Sequence, residues 1–253
     1  MATHAAPVRV AVVSYLNAQP LVRGLRRSLG SDVELVLDIP SRLPALLAGG
    51  AVDLALLPVA AIPAIPGARV VCDYGIAADG PVASVSLFSQ VPMDQIEEVM
   101  LDDQSCTSVA LAQLLLRDFW RTPVRFGQAQ AGYIETLCGR RAGVIIGDRA
   151  LREQTRFSFQ WDLAAAWKEW TGMPFVFAAW VGVRTLPGGF LERFNAANEA
   201  GLATIGEIVT EHTGAPYDVA AYFRDHLRFR LDARMHQGLA LFLEKLASLP
   251  ARP

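Results

Sequence analysis

The sequence holds few residues equipped for chemistry, and they fall in short segments. The first is Tyr15-Leu16-Asn17 in V-S-Y-L-N-A-Q-P-L, directly after the apolar run V-R-V-A-V. An asparagine amide offers a donor and an acceptor together, which suits it to orienting a hydroxyl or a carboxylate. Capping of a helix whose text begins near Pro20 is the other reading of Asn17. The second segment is S-V-S-L-F-S, where Ser84 and Ser86 alternate with Val85 and Leu87. On a strand the two hydroxyls share a face, and hydroxyls on an apolar strand suit contact with a polar ligand. An edge strand with one wet face fits the same text. The third is D-D-Q-S-C-T-S, Asp102 to Ser108, ahead of an apolar helical pattern. Ser105, Thr107 and Ser108 would place hydroxyls and backbone N–H groups at the helix end that attracts anions, and a plain N-cap uses the same residues. Asp148, in I-G-D-R-A, stands at another strand-to-helix junction, where it too has a capping reading.

Other chemistries are missing from the text. There is no G-x-S-x-G elbow, HExxH, GxGxxG or phosphate loop. His4, His212, His226 and His236 have no metal-ligand spacing. Cys72, Cys106 and Cys138 are far apart and form no CxxC pair. An enzyme built on this sequence is expected to need neither a metal nor a nucleotide cofactor.

The elements that must position these residues are those of an α/β protein. The chain has 253 residues, of which 52% are hydrophobic, enough for one large unit or two lobes. Charged residues make up 19% and the net charge is -2, so no field of one sign exists to attract nucleic acid. The start, M-A-T-H-A-A-P, has no signal-peptide pattern, and no apolar run approaches a membrane span, so a cytoplasmic protein is expected. Strands are predicted over 8–13, 33–38, 54–57, 69–74 and 82–88, with helices over 21–29 and 41–48 between them. Ser41 and Gly49-Gly50 mark the ends of the second helix. This rhythm predicts a parallel sheet covered on both faces. A second unit starts near Met100, and the text turns helical after F-V-F-A-A-W-V-G-V, with patterns over 189–209 and 218–226 and a C-terminal amphipath. Crossings near 84–89 and 178–183 would give one lobe of 1–86 plus 182–253 and a second of 87–181, with a closing ligand cleft between them.

Read in order, the segments resemble the chorismate dehydratase family of the futalosine route to menaquinone. The resemblance runs through V-S-Y-L-N-A-Q-P-L, V-D-L-A-L-L-P-V, S-V-S-L-F-S-Q-V-P, L-D-D-Q-S-C-T-S-V-A-L, V-I-I-G-D-R-A-L and W-T-G-M-P-F-V-F-A-A-W, from the first strand to about Trp180. It implies a two-lobed, type II periplasmic-binding-protein-like fold used as a cytoplasmic enzyme. The implied reaction is a cofactor-independent hydro-lyase step, removing water from chorismate to give 3-(1-carboxyvinyloxy)benzoate. The resemblance places Asn17 and Ser86 at the reacting groups. It makes Tyr15, Ser84, Ser105, Thr107, Ser108 and Asp148 substrate-binding. No His or Glu occurs in these segments, so the enolpyruvyl carboxylate of the substrate is the expected proton acceptor. One departure is Cys106, where the family pattern carries Arg. A solute-binding or effector protein of the same fold is the competing reading.

Overall fold

The structure is a computed structural model that describes residues 6–249. His4 and most of the opening segment lie outside the described residues. Eleven strands among those residues form two sheets. In chain order they are β1 (Val8–Val13), β2 (Val33–Asp38), β3 (Leu54–Pro58), β4 (Arg69–Ala78), β5 (Val85–Ser89), β6 (Glu98–Leu101), β7 (Arg125–Gln128), β8 (Arg141–Ile146), β9 (Phe159–Asp162), β10 (Phe175–Gly182) and β11 (Arg228–Arg230). The six-stranded sheet has the order β11-β4-β10-β3-β1-β2, and the five-stranded sheet has β7-β6-β8-β5-β9.

The central strands are those with continuous apolar text. Every residue of β3, β5 and β10 is buried, as a strand covered on both faces requires. The edge strand β2 is only partly covered and leaves Leu37 exposed. The six-stranded sheet is mixed, and not parallel as its rhythm predicts. β1 runs parallel to β2 and β3, but β10 is antiparallel to both β3 and β4. The reason is that β10 enters from the other sheet and so meets its neighbours in the opposite direction. It is already hydrogen-bonded from Phe175, so the return crossing precedes Phe175 and does not fall at 178–183. The outward crossing is the segment between β4 and β5.

That outward segment is bent. Ala83 has φ 62, a left-handed backbone that costs a non-glycine residue energy unless its surroundings enforce it. Asp162, at the end of β9, supplies the enforcement. Its Oδ2 accepts from the N–H groups of Val82 (2.9 Å) and Ala83 (2.7 Å), and its Oδ1 caps the helix Leu163–Thr171 through Ala164 and Ala165.

Helices differ from their predicted limits where capping chemistry was misjudged. Helix Leu43–Ala48 follows Arg42 and takes no side-chain cap from Ser41. The pattern over 189–209 divides into Phe190–Leu202 and Ile205–Glu211. The C-terminal helix Ala233–Leu246 brings Phe242 against Phe175 (4.9 Å between ring centres) and Trp167 (6.1 Å), edge to face. It thereby packs the end of the chain onto β10 and onto the helix that follows β9.

Candidate active site

Between the sheets lies a cleft of about 510 Å³, counted out to solvent at its mouth. Most of its wall is apolar, built by Val13, Pro58, Ile76, Val85, Ile146 and Phe177 among others. Five polar side chains interrupt that wall: Tyr15, Asn17, Ser84, Ser105 and Ser108. None of the lining residues is charged. An apolar pocket with a few convergent polar groups is the usual form of a small-molecule site.

Tyr15 and Asn17 come from the exit of β1. The strand ends at Val13, and the chain turns through a 3-10 segment, Leu16–Ala18, before the helix Gln19–Leu29. The helix cap is Ala18, with no side-chain cap bond, so the capping role open to Asn17 is not used. The Asn17 amide oxygen is instead buried with no hydrogen-bond partner. A lone buried acceptor is costly, typically 1–3 kcal/mol, and a cleft wall is where a ligand would satisfy it. Tyr15 reaches across to donate its hydroxyl to the Gln104 Oε1. Its ring lies against Gly147, where φ is +63 and an added Cβ would meet the ring at 3.2 Å. Burial pushes the Tyr15 hydroxyl up to about 12, against the opposing charge of Arg149. It is therefore a neutral donor at ordinary pH.

Ser105 and Ser108 come from the start of helix Cys106–Leu114. Ser105 is the N-cap: its Oγ accepts from the Ser108 N–H at 3.1 Å and donates to the Ser108 Oγ at 2.9 Å. The Ser108 hydroxyl proton is left for another acceptor, beside a helix end that favours negative charge. Asp102 holds the approach to this turn. It accepts from the Gln104 N–H at 2.8 Å, from Arg149 at 2.7 Å and from the Tyr133 hydroxyl at 2.9 Å. Burial raises its carboxyl, and the Arg149 guanidinium opposes that shift.

Ser84 directly precedes β5, and its backbone oxygen accepts from the Gly147 N–H at 2.8 Å. Its Oγ accepts a hydrogen bond of 2.9 Å from Tyr222, a buried residue of the C-terminal region. Burial raises the Tyr222 hydroxyl well above the usual phenol range. Tyr222 is the residue that sequence reading missed. It sits at the start of the helical segment Tyr222–His226, far from every motif, where an aromatic reads as packing.

Three expected contacts lie elsewhere. Ser86 does not line the cleft with Ser84, which lies just ahead of β5 and outside its regular alternation. Val85 takes the cleft wall, and Ser86 is fully buried with its Oγ accepting from Gln160 at 3.1 Å. Thr107 accepts from the Ala60 N–H at 3.1 Å, a bond from the five-stranded side to the segment after β3. Asp148 accepts from the Leu16 N–H at 3.3 Å, again joining the two sides, and burial raises its carboxyl. Both tie the lobes together beside the cleft. Among the described residues no group of three or more His, Cys, Asp or Glu is gathered as a metal site, and no helix is long and apolar enough to cross a membrane.

Solved structures share this architecture. A protein from Archaeoglobus fulgidus superposes with a TM-score of 0.74 at 12% identity, over 97% of this chain and 98% of that one. The alkanesulfonate-binding protein from Xanthomonas axonopodis pv. citri, bound to MOPS, gives 0.68 at 14% identity, over 99% and 96%. At such identities these likenesses establish the fold, which is that of the periplasmic binding proteins. In sequence, a chorismate dehydratase from Thermus thermophilus is 27% identical over 270 residues, covering 98% of this chain and 97% of that one. The menaquinone biosynthesis family model matches residues 8–248, a span that contains both sheets and every residue of the cleft wall. The chain belongs to the menaquinone biosynthesis family.

Proposed function

We propose that this protein is a chorismate dehydratase, a lyase that works without a cofactor and yields 3-(1-carboxyvinyloxy)benzoate. The proton lost is on the ring carbon that bears the enolpyruvyl ether, and the hydroxyl on the adjacent carbon leaves. The C–H electron pair becomes ring π density as the C–O bond breaks, and proton and hydroxide depart together as water. The product is aromatic, which supplies the driving force. What remains for the protein is to position the substrate and to stabilise the charge that develops.

One observation carries this reading: the buried, unpartnered Asn17 oxygen and the Ser84 hydroxyl line one cleft that holds no acid, base or cation. That pair suits a hydroxyl, which both donates and accepts. Ser84 donates to the leaving oxygen and Asn17 accepts from it, so Ser84 takes the role that sequence alone gives to Ser86. Ser105, Ser108 and the helix start behind them bind the ring carboxylate. With no titratable lining group suited to abstract a proton, the enolpyruvyl carboxylate of the substrate is the acceptor. Tyr15 closes over the site through Gln104. A soluble enzyme acting in the cytoplasm fits the substrate, and nothing in the charge pattern suits nucleic acid or a membrane.

The test is to incubate purified protein with chorismate and a metal chelator and follow the products by mass spectrometry. A product lighter by one water establishes the dehydratase. Unchanged chorismate, with the protein folded, rejects it; a thermal shift on adding chorismate would then favour a binding protein of the same fold.

A further inference from the structure

We infer that Tyr222 is a positioning residue of the site, holding Ser84 as an O–H donor toward the ligand. This rests on the dehydratase reading for its kinetic test, but its geometry stands on its own.

The argument is a count of protons. A tyrosine hydroxyl has one proton to give and an oxygen that can accept. Tyr222 gives its proton to the Ser84 Oγ at 2.9 Å, so that lone pair of Ser84 is occupied. The Ser84 hydroxyl proton must then point away from Tyr222, and Ser84 is on the cleft wall. The Asn17 amide oxygen, which faces the same cleft, is buried and without a partner. One buried hydroxyl thus sets the direction of the Ser84 donor. Tyr222 is 2% exposed and does not line the cleft, so it acts through Ser84 and does not touch the ligand. Its burial keeps the phenol protonated across the working range, so the arrangement does not change with pH.

The experiment compares wild type, Tyr222→Phe, Ser84→Ala and the double variant. Tyr222→Phe removes one oxygen and leaves the ring in place. The expected result is a kcat lower by about tenfold, the value of one hydrogen bond of about 1.4 kcal/mol, with KM changed less than about twofold. The double variant is expected to lose much less than the product of the two single losses, because both remove one interaction. Losses that multiply, or a wild-type kcat in Tyr222→Phe, would overturn the inference. If Tyr222→Phe does not fold, Ser84→Ala decides: lower kcat at similar KM supports a donor on the reacting hydroxyl, and unchanged kcat rejects it. Failure of the dehydratase reading shows separately, as wild type that leaves chorismate intact. In that case crystal structures of wild type and Tyr222→Phe settle the positioning: Ser84 turned in the variant supports it, and an unchanged Ser84 overturns it.

Discussion

Asn17 and Ser86 have similar chemistry in the sequence and opposite situations in the fold. Asn17 is on the cleft wall with an unpaired oxygen, whereas Ser86 is fully buried within β5 and bonded to Gln160. Asn17→Ala should therefore lower kcat by about 10²-fold or more, as loss of a preorganised polar group in an active site does. Ser86→Ala should change kcat by less than tenfold and cost about 1 kcal/mol of stability, the value of one hydrogen bond. Steady-state rates with chorismate and urea unfolding of both variants check this, and equal kinetic losses would contradict it. The place of Asn17 at the cleft was legible because it closely follows a buried strand, whose carboxyl end meets the ligand crevice in such folds. Ser86 was misread because strand alternation is reliable only inside the strand, and Ser84 lies just ahead of β5. Tyr222 left no local signal, since its partner Ser84 is distant in sequence.

At the scale of elements, the site depends on how closely the helix after β1 can approach its neighbour. Helix Gln19–Leu29 crosses Phe190–Leu202 at Gly24 and Gly201, where an added Cβ would lie 2.0 Å from the Ala197 oxygen and 2.1 Å from the Pro20 oxygen. These are backbone atoms that cannot turn aside. Gly201→Ala should destabilise the protein by about 1–3 kcal/mol. Gly206, in the next helix, has nothing within 4 Å, so Gly206→Ala should stabilise by up to about 1 kcal/mol. Thermal melts of the pair should move in opposite directions; a loss in both would mean that the crossing is not what makes Gly201 necessary. The helices themselves were readable from apolar spacing, and the pairing of two glycines far apart in sequence was not. The same holds for β10, whose apolar run announces a central strand without saying in which sheet.

For the whole molecule, the bonds from Leu16 to Asp148 and from Ala60 to Thr107, with Tyr15 to Gln104, join the two sides of the cleft. Asp148 makes that closure sensitive to pH. Burial is the main cause of its raised carboxyl; the Leu16 N–H, Arg152 and His212 oppose it. The folded protein then holds this proton more tightly than the unfolded chain. The contribution of Asp148 to stability is full below about pH 4, the ordinary aspartate range, and is lost as pH rises through the raised value. Asp148→Asn keeps the acceptor and removes the charge, so it should melt higher at pH 7, by about 2–4 °C for each kcal/mol relieved, with a flatter pH dependence above pH ~4. A lower melting temperature at pH 7 would show that the charge is no burden. The position of β10 has a further consequence, for synthesis on the ribosome. The strands of the five-stranded sheet emerge one after another, from Val85 to Asp162, and can close as a unit. In the six-stranded sheet, β4 has both of its partners, β10 and β11, still unmade when it emerges. The stretch between Ala78 and Phe175 takes roughly 5 to 20 s to translate, and for that time an apolar strand waits in the nascent chain with no edge to join.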